Sequence, residues 1–160
     1  MSDPDLLPPS VDPNKKLIGV RKVQAHNDAT ARTVSTVRDF EIVTDEPTSS
    51  NTGQTPLETV LAALLGCEGV IINRCAEAMK FDYAGVDFEC EGTVDARGSR
   101  GVVGVRPHFQ SVTLKVRIQT NEPAERVAKL RKNVESRCPV MNLLSDADVE
   151  MIVDWQTVPV

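Results

Sequence analysis

The longest regular pattern of apolar positions lies between Thr55 and Lys80. Leu, Val and Ile recur there every three or four residues, at positions 57, 60, 61, 64, 65, 71 and 72. This is the spacing of an α-helix, and the apolar positions cover more than one face. Thr55 can cap the helix, with Pro56 in the first turn and Glu58 completing a capping box. The pattern predicts a long central helix that is buried around most of its circumference, and its interrupting charges argue against a membrane span.

Shorter patterns with a period of two residues predict strands on both sides of this helix. Before it, we expect strands at Leu17 to Ala25, Ala31 to Val37 and Phe40 to Val43, with a turn at Arg38-Asp39. After it, apolar residues alternate with charged or polar ones from Val86 to Cys90 and from Val112 to Ile118, which is typical of half-buried strands. We expect these two strands to pair with each other, and a last strand at Met151 to Trp155.

Two further helices complete the predicted fold. Pro123 to Val134 is amphipathic, and Pro139 is suited to open a short helix through Leu144. The order of strands, long helix, strands, helices and strand predicts an α+β fold, with a mainly antiparallel sheet packed on the central helix. Residues 1–16 are rich in proline and predict an arm that is disordered or ordered only on contact, and residues 17–160 predict a single domain.

Composition and charge narrow the classes of function. Of the 160 residues, 41% are hydrophobic and 26% are charged, which is ordinary for a soluble globular protein. The net charge is −5, and no run of Lys and Arg is present, so nucleic acid is not expected as a partner. The N-terminus is acidic and has no apolar signal region, which predicts a cytoplasmic protein.

The cysteines are the most reactive side chains of this sequence. There are four, Cys67, Cys75, Cys90 and Cys138, with no CxxC motif and only two histidines, so a structural zinc site is not expected. In a cytosolic chain free thiols are more common than a disulfide framework. Cys67 has Gly66 and Gly69 nearby, and each glycine costs a helix interior about 1 kcal/mol relative to alanine. The glycines indicate that another backbone or a small ligand approaches Cys67, although a small core residue is the commoner role of an unpaired cysteine.

Cys138 stands at the junction between the two predicted C-terminal helices. The residue before a proline is disfavoured in helical geometry, so Cys138 should lie at the N-terminus of the helix that Pro139 opens. The free amides and the dipole at such a terminus favour a thiolate. Cys75 and Cys90 occupy apolar positions and are predicted to be structural.

Five short motifs in this order resemble the OsmC/Ohr family, the osmotically inducible protein C and organic hydroperoxide resistance proteins. They are Asp45-Glu46-Pro47, Thr52-Gly53, Thr55-Pro56-Leu57-Glu58, Ala62-Ala63-Leu64 followed by Gly66-Cys67, and Cys138-Pro139-Val140. The resemblance covers about residues 17 to 155. It implies an intertwined homodimer in which each long helix is buried between the sheets of the two chains.

The resemblance also implies a thiol-dependent peroxidase that reduces organic hydroperoxides in oxidative-stress defence. Cys67 would attack the hydroperoxide, Cys138 would close a disulfide with it, and a dithiol reductant would recycle the pair without metal, flavin or haem. In the family an arginine from the N-terminal strands stabilises the thiolate and is oriented by a glutamate early in the cysteine helix. Here Arg38 is the first candidate, Arg32 the second, and Glu58 the candidate glutamate.

Two departures from the family pattern leave other functions open. The better-studied peroxidases carry the glutamate directly after the position of Pro56, where this chain has Leu57, and one residue rotates a helix side chain by about 100°. Glu68 would oppose a thiolate at Cys67 if both side chains pointed the same way, although neighbouring helix residues diverge. The alternatives are a non-catalytic dimer that binds a small apolar ligand, or a redox sensor.

Overall fold

A computed structural model describes residues 3–160, and its alternation of strands and helices confirms the α+β prediction. The strands are β1 (Gln24–Asn27), β2 (Thr33–Val37), β3 (Phe40–Thr44), β4 (Gly85–Val94), β5 (Phe109–Gln119) and β6 (Glu150–Val158). The helices are α1 (Pro56–Met79), α2 (Ala96–Ser99), α3 (Ala124–Arg137) and α4 (Pro139–Asp146). The chain forms two compact units, which we call the N-terminal unit (Pro9–Ala62) and the C-terminal unit (Met1–Pro8 with Ala63–Val160).

The N-terminal unit contains an antiparallel meander in the order β1-β2-β3. The predicted turn at Arg38-Asp39 is confirmed, because Val37 pairs with Phe40 across it. The predicted strand from Leu17 to Ala25 is wrong over most of its length, since β1 begins only at Gln24. The preceding segment pairs with no strand among residues 3–160. Its apolar side chains, Leu17, Ile18, Val20 and Val23, are between 61% and 84% exposed.

The loop between β3 and α1 is organised by the buried carboxylate of Asp45. This carboxylate accepts hydrogen bonds from the Glu46 amide at 2.8 Å, the Ser50 hydroxyl at 2.6 Å, and both the amide and the hydroxyl of Thr52 at 3.0 Å. These hydrogen bonds, with that from Ser50 foremost, hold the pKa of Asp45 far below its usual range. One ionised side chain therefore accepts hydrogen bonds from two backbone amides and two hydroxyl groups of a polar loop that has little regular structure of its own.

We expect Asp45→Asn to destabilise the protein most at neutral pH. An aspartate whose pKa is lowered by folding stabilises the native state above its unfolded pKa of about 3.9, and this contribution is lost as the pH falls through the folded pKa. Thermal unfolding at several pH values measures the effect. The difference in Tm between wild type and variant should be full near pH 7 and shrink below about pH 4. A difference that does not change with pH would show that the charge of Asp45 is unimportant.

Helix α1 begins with the predicted capping box. The Thr55 amide donates to the Glu58 carboxylate at 2.7 Å, and the Glu58 amide donates to the Thr55 hydroxyl at 3.2 Å. The helix ends before Lys80, which adopts a φ of 49°. Within this chain its buried positions form one stripe, namely Leu64, Glu68, Ile71, Ile72, Cys75 and Ala76. Burial around most of the circumference is therefore not observed within one chain.

By length and composition alone, α1 is also apolar enough to cross a membrane. Core helices of soluble proteins share this property, so the finding is weak evidence for a membrane span.

The C-terminal unit is built on the sheet β4-β5-β6. The predicted pairing of β4 with β5 is confirmed as antiparallel, with Val86 opposite Ile118. β6 instead joins β5 in parallel, because two helices between them allow the chain to cross over before it returns. β5 is the central strand, and four of its side chains are fully buried: Val112, Leu114, Val116 and Ile118. They share the core with apolar residues of α1 and α3, among them Leu64, Ile72, Leu130 and Val134.

The described start of the chain is held against α3. Asn133, which is fully buried, accepts a hydrogen bond from the Leu7 amide at 2.7 Å and donates to the Asp5 carbonyl at 2.9 Å. Arg137 donates to the Leu7 carbonyl, and Lys132 lies 3.2 Å from the Asp5 carboxylate. The part of the predicted arm from residue 3 to residue 8 is thus ordered by contact with α3.

Candidate active site

Cys67 and Cys138, which are far apart in the sequence, lie together in the C-terminal unit. Cys67 is in the middle of α1 and is partly exposed, whereas Cys138 lies between α3 and α4 and is fully buried. Both are free thiols, and the Cys138 thiol is close enough to Cys67 for that thiol to affect its pKa. The structure therefore combines one accessible thiol with a second that is shielded behind it.

The chain bends at Cys138 because of the proline that follows. Cys138 has extended geometry, with φ −73° and ψ 111°, and it ends α3 and begins α4 at the same time. Its amide still donates to the Val134 carbonyl at 3.0 Å. The Asn142 side-chain amide donates to the carbonyls of Cys138 at 2.8 Å and Glu135 at 3.0 Å. These hydrogen bonds fix the junction and with it the position of the Cys138 thiol.

Glu68 is the third ionisable group of this site. Its side chain is fully buried, and neither carboxylate oxygen has a hydrogen bond of ordinary geometry among the residues that the structure describes. The carboxyl group nevertheless lies within interaction range of the Cys138 thiol, a contact that lowers its pKa. Burial outweighs that contact and raises the pKa of Glu68, and the negative charge of Glu135 adds to the rise.

The expectation that a helix N-terminus favours a thiolate at Cys138 is wrong. The Met141 amide of α4 does act in that direction, but burial raises the pKa of Cys138 far above its usual range. The neighbouring Glu68 carboxyl and Cys67 thiol raise this pKa further. A fully desolvated thiol beside an acidic group holds its proton, so Cys138 needs a partner that removes this proton before it can react as a nucleophile.

Cys75 and Cys90 lie outside this site. Cys75 is buried two helical turns beyond Cys67, a distance of about 12 Å along α1. Burial raises its pKa, although the charge of Arg137 partly offsets the effect. Cys90 pairs with Leu114 across the sheet, and burial raises its pKa as well. Neither environment favours a reactive thiolate.

The two glycines near Cys67 have different surroundings. A Cβ atom at Gly69 would lie 3.9 Å from the Phe88 ring, so α1 packs closely on β4 at this point. A Cβ atom at Gly66 would meet nothing of this chain within 4 Å. The surface beside Cys67 is therefore open at Gly66.

The other predicted site residues belong to the N-terminal unit. Arg38 lies at the β2–β3 turn with a φ of 55°, and its guanidinium is 5.1 Å from the centre of the Phe40 ring. Arg32 precedes β2 and donates to the Thr52 hydroxyl at 3.2 Å. The Glu58 carboxylate accepts from the Thr55 amide in the capping box. The roles of Arg38, Arg32 and Glu58 towards Cys67 stay predictions.

The sequence predicts an effect of Glu68 on Cys67 only and does not predict its contact with Cys138. One signal was present in the pattern. Glu68 is four residues after Leu64 and four before Ile72, so it lies on the stripe of α1 that carries the core residues. Burying a carboxyl group on the most apolar face of a helix costs free energy unless a specific partner interacts with it.

Comparison with solved structures shows the same fold in several other proteins. An OsmC-like protein from Mycoplasma pneumoniae is 19% identical, with a TM-score of 0.78 over 89% of this chain and 99% of its own. An organic hydroperoxide resistance protein from Elizabethkingia anophelis is 13% identical, with a TM-score of 0.72 over 90% of this chain and 100% of its own. One from Legionella pneumophila is 16% identical, with a TM-score of 0.67 over 88% of this chain and 99% of its own.

The sequence itself supplies the family assignment. A comparison with curated proteins finds no match. The family model described as OsmC-like protein matches residues 49–153, which include α1 with Cys67 and the junction at Cys138. This match spans more than half of the chain and agrees with the fold of the solved relatives. The chain belongs to the OsmC-like protein family.

Proposed function

We propose that this protein is a thiol-dependent peroxidase that reduces organic hydroperoxides and serves in oxidative-stress defence. The observation that carries the proposal is the pair formed by the partly exposed Cys67 and the buried Cys138. The assignment to the OsmC-like family supports it. So do the solved structures from Legionella pneumophila and Elizabethkingia anophelis that are named organic hydroperoxide resistance proteins.

The chemistry has two steps on this chain. The Cys67 thiolate attacks the terminal oxygen of the hydroperoxide and breaks the O–O bond, so that the thiol is oxidised to sulfenic acid and the hydroperoxide is reduced to an alcohol. The Cys138 sulfur then attacks the sulfenic sulfur, a disulfide forms, and the hydroxyl group leaves as water. A dithiol reductant returns both residues to thiols. The exposed Cys67 suits the first step, and the shielded Cys138 suits the second.

The surroundings of Cys67 favour an organic substrate over hydrogen peroxide. Leu65 precedes it on α1 and is partly exposed, Val70 follows and is half exposed, and the surface at Gly66 is open. An apolar wall beside a reactive group binds an alkyl or aryl tail better than water.

We further propose that an arginine of the N-terminal unit stabilises the Cys67 thiolate and the developing negative charge on the leaving oxygen. Arg38 is exposed and its guanidinium stacks on the Phe40 ring, so turning to another partner costs it little more than this cation–π contact. Arg32 is tied to Thr52. Glu58 would orient the chosen arginine from the start of α1. If Arg38 has this role, Arg38→Gln should slow sulfenic acid formation strongly and Arg32→Gln only slightly; the reverse order would assign the role to Arg32.

A homodimer is the proposed assembly, because each unit exposes apolar residues that a single chain leaves uncovered. In the N-terminal unit these are Leu17, Ile18, Val20 and Val23, and in the C-terminal unit Val70 of α1 is 50% exposed. Exposed apolar surface of this kind marks sites of association. We expect light scattering to give the mass of a dimer at micromolar concentration. A monomer under these conditions would reject the assembly.

Stopped-flow kinetics test the proposed activity. Reduced protein is mixed with cumene hydroperoxide or with hydrogen peroxide, and sulfenic acid formation at Cys67 is followed directly. We expect a rate far above that of free cysteine, and a faster reaction with cumene hydroperoxide than with hydrogen peroxide. A rate equal to that of free cysteine with both peroxides would reject the function.

A further inference from the structure

Formation of the disulfide between Cys67 and Cys138, the second step of this chemistry, requires two proton transfers for which no group has yet been named. Cys138 is fully buried and sits next to an acid, so its proton has no direct route to solvent. The hydroxyl group that leaves Cys67 must gain a proton to depart as water. A group in contact with the Cys138 thiol and next to Cys67 in the chain could meet both needs.

Glu68 is that group. It directly follows Cys67 on α1, its carboxyl lies beside the Cys138 thiol, and its side chain is fully buried. Both of its oxygens lack a hydrogen-bond partner among residues 3–160, so neither is committed to a structural contact. Buried polar atoms without partners cost free energy, and their presence in a native fold calls for an explanation.

We propose that Glu68 is a catalytic proton relay between the two cysteines, carrying the proton of Cys138 to the group that leaves Cys67. This inference rests on the proposed function, and it assigns a role to a residue outside the predicted set of Cys67, Cys138, Arg38 and Glu58. In its neutral form the carboxyl group has one oxygen that donates and one that accepts, as a relay requires.

The relay conserves protons and electrons. The Cys138 thiol gives its proton to the carbonyl oxygen of Glu68 while its sulfur attacks the sulfenic sulfur of Cys67. At the same time the Glu68 hydroxyl gives its proton to the departing hydroxyl, which leaves as water. Cys138 is oxidised, the sulfenic Cys67 is reduced to the disulfide level, and Glu68 ends as a neutral acid.

The charged and titratable groups around Glu68 support its neutral form. Cys138 faces it from the α3–α4 junction, and Glu135 faces it from α3 and disfavours a second negative charge. Glu135 itself forms an ion pair with Arg131 at 2.7 Å. Glu135 therefore offers a matched control, because it is a second carboxylate that influences Glu68 and its own ion-pair partner is Arg131.

The relay can be tested without a peroxide, because the same proton path operates when the disulfide is reduced. Diamide is used to form the Cys67–Cys138 disulfide in wild type, Glu68→Gln, Glu68→Met and Glu135→Gln. The disulfide is then reduced with 2-mercaptoethanol, which attacks the more exposed Cys67 sulfur, and Cys138 must take up a proton as it leaves. Samples quenched with an alkylating agent are analysed by intact mass spectrometry. Thermal unfolding confirms that each variant is folded.

We expect both Glu68 variants to be reduced about 100-fold more slowly than wild type, the scale of general acid–base catalysis. Glu135→Gln should stay close to wild type, because burial, the largest cause of the raised pKa of Glu68, is still present in that variant. Glu68→Met keeps the test valid if the amide of Glu68→Gln disrupts folding, because an apolar side chain of similar shape is well tolerated at a buried site. Equal rates in all four proteins would overturn the relay. The same holds if Glu135→Gln is as slow as Glu68→Gln, or if diamide does not link Cys67 to Cys138. A Glu68-dependent rate in a protein that does not reduce hydroperoxides would leave the relay in place and reject the peroxidase activity alone.

Discussion

We expect Cys67→Ser to abolish the proposed reduction of organic hydroperoxides. The hydroxyl of serine stays protonated at neutral pH and does not attack the O–O bond, whereas the thiolate is the reactive form of cysteine. The three remaining thiols do not compensate, because burial raises the pKa of Cys75, Cys90 and Cys138. We expect turnover of cumene hydroperoxide to fall by at least about 1,000-fold, which is smaller than the roughly million-fold or greater accelerations that enzymes provide.

Cys75→Ser is the matched control for this prediction, since it makes the same atomic change on the same helix. Cys75 packs in the core of the C-terminal unit, away from the pair of thiols. A folded Cys75→Ser protein should keep its hydroperoxide turnover. Loss of turnover in this variant, or its survival in Cys67→Ser, would mean that the attacking thiol has been assigned to the wrong residue.

Cys138→Ser separates the two steps of the reaction. Cys67 remains intact, so the first equivalent of hydroperoxide should be consumed at the wild-type rate. No second thiol is then placed to condense with the sulfenic acid, and excess peroxide should oxidise Cys67 to sulfinic acid. Intact mass spectrometry should show the addition of one oxygen atom and then of two, with multiple turnovers lost.

The wild-type protein under the same peroxide excess is the reference for this experiment. It should accumulate the disulfide, a loss of two hydrogen atoms, with little sulfinic acid. If Cys138→Ser sustains multiple turnovers with the same reductant, Cys138 is not the resolving thiol. The shielded position of Cys138 would then have only a structural meaning.

Local patterns in the sequence were sufficient to predict much of the fold. The capping box at Thr55 and Glu58 and the periodicity that follows it define α1 to within about one residue at each end. The alternation in β4 and β5 predicts both strands and their pairing. These features depend on contacts between near neighbours or on burial of one face, and the amino-acid pattern records both directly.

Features that depend on distant partners were not predictable in the same way. The segment from Leu17 to Val23 has the composition of a strand, but a strand also needs a partner, and composition does not specify one. β6 pairs with β5 in parallel because α3 and α4 carry the chain across before β6 begins. The alternation of apolar and polar residues in β6 does not reveal that path.

In the candidate site, too, local features were predictable from the sequence and features that depend on distant partners were not. The sequence contains Cys67, Cys138 and the helix start after Pro139, and the resemblance to the OsmC/Ohr family implies that the two cysteines act as a pair. It does not reveal how deeply Cys138 is buried, so the pKa of this thiol was expected to fall and is instead raised. Glu68 was likewise visible as a residue, but its contact with Cys138 arises only when α1 meets the α3–α4 junction.

Peptide mapping of the peroxide-treated protein tests the central claim most directly. Reduced protein is treated with one equivalent of cumene hydroperoxide, its remaining thiols are alkylated, and it is digested without reduction for mass spectrometry. We predict one disulfide, linking the peptide that contains Cys67 to the peptide that contains Cys138, within a single chain, with Cys75 and Cys90 alkylated. Oxidation found mainly at Cys75 or Cys90, with Cys67 still reduced, would contradict the account at its central residue.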